Sequence, residues 1–159
     1  MRQPVNYDNG KYRRFGFKLG EYYHNGHDYN VDYNTEVYAI TDGEVYFASM
    51  TVSGFGGLNP SKQGGLIIIK HFDNFKGRIF WAIYGHVLHT LQKDDVVKEG
   101  QIIGRVDNFV NNGLILPHLH LSLTMQQNAP LPPFGYVPPE RLKNYIDPVL
   151  FFDGRGIKL

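Results

Sequence analysis

Apolar and polar positions in this chain alternate in twos far more often than they recur at helical spacing. Residues 35–40 (TEVYAI) and 44–48 (EVYFA) flank Asp42-Gly43, a pair favoured in tight turns, and read as a hairpin. Residues 66–71 (LIIIKH), apolar through Ile69, are expected to be a strand buried on both faces. It is followed by turn residues at 73–77 and a returning strand at 78–84 (RIFWAIY). Val96-Val97 and residues 101–106 read as another short pair around the Lys98-Glu99-Gly100 turn, and 114–124 closes the series. Only 139–145 (PERLKNY) has the pattern of a helical turn or two. The expectation is an all-β domain, mostly antiparallel, with long loops and little helix. No repeat or linker interrupts residues 1–159, which read as one domain with a core from about 15 to 152.

Two loops stand apart. Residues 53–63 (SGFGGLNPSKQ) are glycine-rich and expected to be mobile, and 126–140 (QQNAPLPPFGYVPPE) are proline-rich and expected to run extended over the surface. Composition narrows the chemistry. Sixteen Lys plus Arg against fifteen Asp plus Glu leave a net charge of +1, which argues for neither nucleic acid nor an anionic membrane as partner. With no cysteine, disulfides and thiolate-bound metals are excluded, so a metal would need His, Asp or Glu ligands. The first eighteen residues show no apolar signal region, and no apolar run is long enough to span a membrane.

The candidate chemistry lies in the histidines. In His118-Leu119-His120-Leu121-Ser122-Leu123-Thr124 the leucines share one strand face, expected to meet the core. His118, His120, Ser122 and Thr124 share the other, where an exposed polar face would serve as well as a site. His24 and Asp28 in His24-Asn25-Gly26-His27-Asp28 are an even number apart, so an extended segment points both to one side, and Gly26 permits close backbone approach. One imidazole and one carboxylate make a partial zinc set, and another histidine would leave a fourth position for water. A polar loop is the plain alternative. His86, after Tyr84-Gly85, sits at a strand exit, as a site residue or a solvent-facing turn residue. His27, His71 and His89 are expected at the surface.

Taken in order, these pieces resemble the lysostaphin/LytM-type zinc endopeptidases of bacterial cell walls. The family shows H-x-G-x-D, then V-x-A-x-x-D-G-x-V, Y-G-H, V-x-x-G-x-x-I-G and H-L-H. The chain has His24 to Asp28, Val37 to Val45, Tyr84-Gly85-His86, Val97 to Gly104, and His118-Leu119-His120. Phe15-Gly16 and Ile146-Asp147-Pro148 match the family's flanking F-G and D-P. The resemblance implies a mostly antiparallel β-sheet with a metal groove. His24, Asp28 and His120 correspond to the ligands of one Zn2+, and His86 and His118 to two catalytic histidines that do not bind it. It also implies a peptidoglycan peptide as substrate, cut at a stem or cross-bridge, and a cell-envelope or secreted location.

No glutamate stands in an H-E-x-x-H arrangement, so a histidine must serve as base. His118, on the same strand face as His120, is assigned that role, and His86 orients water or stabilises the oxyanion; the two roles are exchangeable at this level. The chain departs from the family at 107–117 (DNFVNNGLILP), where Leu116 replaces the usual glycine before P-H-L-H, implying a bulkier groove wall. The loop at 126–140 is an addition expected to flank the groove. Two other readings compete. One is a non-catalytic β-domain that binds cell-wall peptide or regulates a partner hydrolase; such relatives lack ligands that this chain has. The other is a biotinyl/lipoyl carrier, suggested by VVKEGQIIG, but the expected hairpin tip at Asp42-Gly43 carries no lysine.

Overall fold

A computed structural model describes residues 1–10, 13–55, 63–74, 76–108 and 117–159. The largest sheet centres on β6 (Gln63–Asp73) and β7 (Arg78–Gly85), an antiparallel hairpin around a turn in which Gly77 adopts φ +62. β5 (Gly43–Ser53) pairs with β6 and carries β9 (Val96–Val97) at its far edge. On the other side β7 pairs with β11 (His118–Thr124). The free edge of β11 is shared by β3 (Gly26–Asn30) along its first five residues and β13 (Tyr145–Ile146) along its last two. Two small sheets complete the β-structure. One runs β1 (Lys18–Leu19), β2 (Tyr22–His24), β12 (Tyr136–Val137); the other runs β4 (Glu36–Tyr38), β10 (Ile102–Val106), β8 (Val87–Leu88). The fold is therefore mostly antiparallel β, as expected.

The main sheet is covered on both faces because its central strands are apolar on both. Ile67 and Ile69, Phe80, Ala82 and Tyr84, and Leu119, Leu121 and Leu123 join the larger core with Val37, Ile103, Phe151 and Phe152. Leu66, Ile68, Trp81 and Ile83 face the other way and pack with Phe55, Val137 and Tyr145. The strand expected to be buried on both faces at 66–71 is so at 66–69 and His71, whereas Lys70 is exposed.

Two expected hairpins do not form. β4 and β5 lie in different sheets, and so do β9 and β10. Asp42-Gly43 is a crossing point between sheets rather than a hairpin tip. The Asp42 carboxylate accepts from the Glu99 N–H at 2.8 Å and from Lys98 Nζ at 3.0 Å. Gly43 lies so close beneath His71 and Ile69 that a Cβ would overlap both. The Lys98–Gly100 turn does exist, with Gln101 N–H bonded to the Lys98 carbonyl at 2.9 Å and Gly100 at φ +76, but it feeds separate sheets.

The helical turn expected near 139 is α1 (Pro139–Leu142). A second helix, α2 (Pro148–Asp153), was not expected. Asp147 caps it by accepting from Val149 N–H, and Pro148 occupies its first turn. Residues 56–62 of the glycine-rich loop, and Leu116 with the rest of 109–116, lie outside the described residues. No described helix is long and apolar enough to cross a membrane.

Candidate metal centre

The site sits on the face of the main sheet that carries Leu66, Ile68 and Ile83. In antiparallel pairing, directly opposite residues project to one side. Asp28 on β3 stands opposite His120 on β11, and Gly85 on β7 stands opposite His120 from the other edge. This alternation carries His118, His120 and Ser122 onto the site face and Leu119, Leu121 and Leu123 onto the core face. Both faces are nonetheless buried: the polar face of β11 is a covered site, not an exposed surface.

Gly26 lets β3 come this close, since a Cβ there would overlap the Leu121 carbonyl. His24 enters from the end of β2, two residues before β3 starts. The segment at 13–14 braces both elements from outside. The Arg13 carbonyl accepts from Asp28 N–H at 3.0 Å, and the Arg14 carbonyl lies 3.1 Å from Nδ1 of His24.

Three atoms converge as a result. Nε2 of His24 is 3.0 Å from Nδ1 of His120, and Oδ1 of Asp28 is 3.1 Å from the first and 2.9 Å from the second. All three residues are buried. Their hydrogen-bond partners decide what these atoms are. A carbonyl only accepts, so the contact to Arg14 makes Nδ1 of His24 an N–H, and in the neutral ring Nε2 then carries the lone pair. Ser122 Oγ donates to Asn25 Oδ1 at 2.8 Å and therefore accepts from Nε2 of His120 at 2.7 Å, leaving Nδ1 of His120 a lone pair.

Burial alone would raise the Asp28 carboxyl, but the surrounding His120, His24 and His118 hold it well below the usual carboxylate range. Burial likewise lowers His120 to about 4, against the pull of Asp28. With both rings neutral, two imidazole lone pairs and a carboxylate oxygen face one another, an arrangement that suits a cation. Tetrahedral zinc with ligands at about 2.0–2.1 Å spaces them roughly 3.3 Å apart. The observed edges are a few tenths of an ångström shorter, and this donor set could hold such an ion.

Two further histidines border the triad. Nε2 of His118 is 3.8 Å from Oδ2 of Asp28, and its ring lies 4.4 Å, centroid to centroid, from that of His86. His86 adopts φ +61, unusual for a residue with a side chain, and its carbonyl is tied to Asp107 N–H at 2.8 Å. Its Nδ1 donates to the Phe55 carbonyl at 3.3 Å, which leaves Nε2 as an acceptor. Burial, reinforced by His118, holds His86 well below the ordinary histidine range, so it is neutral at pH 7. All five expected site residues are therefore brought together.

The three histidines expected at the surface behave differently. His71 is buried, with Nδ1 3.2 Å from the Asp42 carbonyl and Nε2 2.9 Å from the Tyr84 hydroxyl. His27 points away from the triad, as its odd offset requires, but is buried against Asp8, with Nε2 2.9 Å from Oδ2. His89 is half-buried, with Nε2 near the Ser49 carbonyl. Strand ends in this fold are covered by neighbouring segments, so polar residues there need not be exposed.

Three contributors escaped the sequence reading: the paired carbonyls of Arg13 and Arg14, Asn25 beneath Ser122, and Tyr136. The Tyr136 ring lies 5.2 Å from that of His24, because Tyr136 pairs opposite His24 across β12 and β2. The proline-rich loop thereby reaches the site's edge.

Comparison with known proteins finds the same fold elsewhere. The lysostaphin catalytic domain from Staphylococcus simulans superposes with a TM-score of 0.59 at 24% identity, over 89% of this chain and 90% of that one. A point mutant of the catalytic domain of the prophage-encoded M23 protein EnpA from Enterococcus faecalis does so at 0.55 and 25%, over 86% and 95%. A zinc-containing peptidase from Vibrio cholerae gives 0.55 and 23%, covering 77% of this chain and 35% of that one. No curated protein sequence matches. The family model described as Peptidase family M23 matches residues 22–133, from the strand bearing His24 past the one bearing His120, and the chain belongs to that family.

Proposed function

We propose that this protein is a zinc-dependent endopeptidase that hydrolyses peptide bonds in peptidoglycan stems or cross-bridges. The observation that carries the reading is the triad of converging lone pairs on His24, Asp28 and His120, buried in a member of a peptidase family. A zinc ion held there would act as a Lewis acid on the scissile carbonyl and lower the pKa of attacking water to about 7. Two neutral imidazoles and one carboxylate would leave the site a single net positive charge.

The remaining residues handle protons. His118 takes a proton as general base, and Oδ2 of Asp28, 3.8 Å away, offers negative charge to the imidazolium formed. The same histidine then returns the proton to the leaving amine. The Nδ1–Phe55 contact supports a water-orienting role for His86, because an Nε2 lone pair accepts from water and cannot donate to an oxyanion. The filled ligand positions favour this reading over a non-catalytic binding domain. A substrate in peptidoglycan places the protein at the cell envelope or outside the cell.

The test is digestion of defined muropeptides by the zinc-loaded protein, with mass spectrometry of the products. Peptide fragments should appear, stop appearing with chelator and return with added zinc. Intact muropeptides after prolonged incubation would contradict the proposal.

A further inference from the structure

We infer that Arg13 and Tyr136 form a carboxylate-recognising subsite beside the metal triad, so that the preferred peptide carries a free carboxylate near the bond to be cut. This deepens the peptidase reading and rests on it. Residues 13–18 (RRFGFK) place three cations and two aromatics together with no acid among them. Arg13 is half-buried, and among the described residues no carboxylate pairs with it, whereas Arg105 and Arg155 are paired with Glu36 and Asp73. Instead its guanidinium donates from Nη1 to the Tyr136 hydroxyl at 2.6 Å. It lies 5.5 Å from the centre of the Phe17 ring and 5.8 Å from that of Tyr136. Aromatic rings and a hydroxyl hold the guanidinium in place without neutralising it, and they leave donors of its fork for an anion.

Its position links this cation to the site. The Tyr136 ring stands 5.2 Å from that of His24, and the Arg13 carbonyl itself holds Asp28 N–H. An extended peptide advances about 3.5 Å per residue. A carboxylate within about three residues of a bond held at the triad would therefore meet Arg13. Peptidoglycan stems offer two sources, the α-carboxylate of a γ-linked glutamate and the carboxylate at a peptide's C-terminus.

Two pairs of synthetic stem peptides separate them. One pair differs only in a free or amidated glutamyl α-carboxyl, the other only in a free or amidated C-terminus. Binding to the metal-free protein is measured by calorimetry, and cleavage by the zinc-loaded protein by chromatography. In one pair the acid should bind at least about tenfold more tightly than the amide, the range of a charge-assisted hydrogen bond. That ratio should fall to near one in Arg13→Gln, recover in part in Arg13→Lys, and be reduced in Tyr136→Phe, which keeps the ring on His24. The substitutions leave the Arg13 carbonyl in place, and zinc stoichiometry checks that the triad survives. Equal binding of acid and amide in both pairs, or a preference that Arg13→Gln leaves intact, overturns the inference. Acid-selective binding without cleavage would uphold the subsite and refute the peptidase reading, whereas cleavage without acid selectivity would do the reverse.

Discussion

Buried histidines lie on both faces of the main sheet, and they differ in one respect. On the core face, His71 has both ring nitrogens matched to complementary partners, the Asp42 carbonyl and the Tyr84 hydroxyl, and stacks on Phe80 at 5.3 Å. On the site face, His24 and His120 each commit only the outward nitrogen to the protein, through the Arg14 carbonyl and Ser122 Oγ. Their inward nitrogens confront each other and a carboxylate. Burial and residue type are the same in the two places; the destination of the second nitrogen is what separates a core histidine from a candidate ligand.

The comparison breaks most decisively at His120. His120→Ala should abolish muropeptide hydrolysis, because the lone pairs left on His24 and Asp28 are too few for a tight site; retained turnover in a chromatographic assay would mean that the triad is not the reactive centre. His118→Ala should keep zinc and lower kcat by about 10²–10⁴-fold, the usual worth of a positioned base. A kcat near that of wild type would remove His118 from the proton path. Ser122→Ala removes the acceptor that fixes the His120 tautomer, and zinc affinity should fall by roughly 10–100-fold. Competition against a chromophoric chelator measures it, and unchanged affinity would show that Nδ1 needs no such help.

The smallest effect belongs to the core face and appears in stability rather than chemistry. Burial lowers His71 to about 4 from 6.5. The folded value lies below the unfolded one, so neutral His71 contributes stability fully above pH 6.5 and loses it as pH falls toward 4. The loss amounts to about 3 kcal/mol at most. Denaturant midpoints of wild type and His71→Phe, compared at pH 7 and pH 4.5, should converge as pH falls. Parallel losses would mean that His71 is already charged in the folded state.

The sequence made the site legible where period two governs. Alternation in β11 put Leu119 and Leu121 on one face and His118, His120 and Ser122 on the other, and the even offset from His24 to Asp28 held as well. Alternation does not reveal which strand lies alongside. Asp42-Gly43 carries hairpin chemistry, but its carboxylate serves the Glu99 N–H across a sheet crossing, a partnership between residues far apart in sequence. The covered state of His71 and His27 was hidden for the same reason: Tyr84 and Asp8 approach from other segments. Arg13 beside Tyr136 joins opposite ends of the chain, and no local pattern marks it.

The most direct test of the central claim is calorimetric titration of the metal-free protein with zinc, run in parallel on wild type, His24→Ala, Asp28→Asn, His120→Ala and His71→Phe. Wild type and His71→Phe should each take up one equivalent tightly, while the three triad variants bind weakly or not at all. Tight stoichiometric binding that survives in the triad variants, or its absence from wild type, would contradict the account.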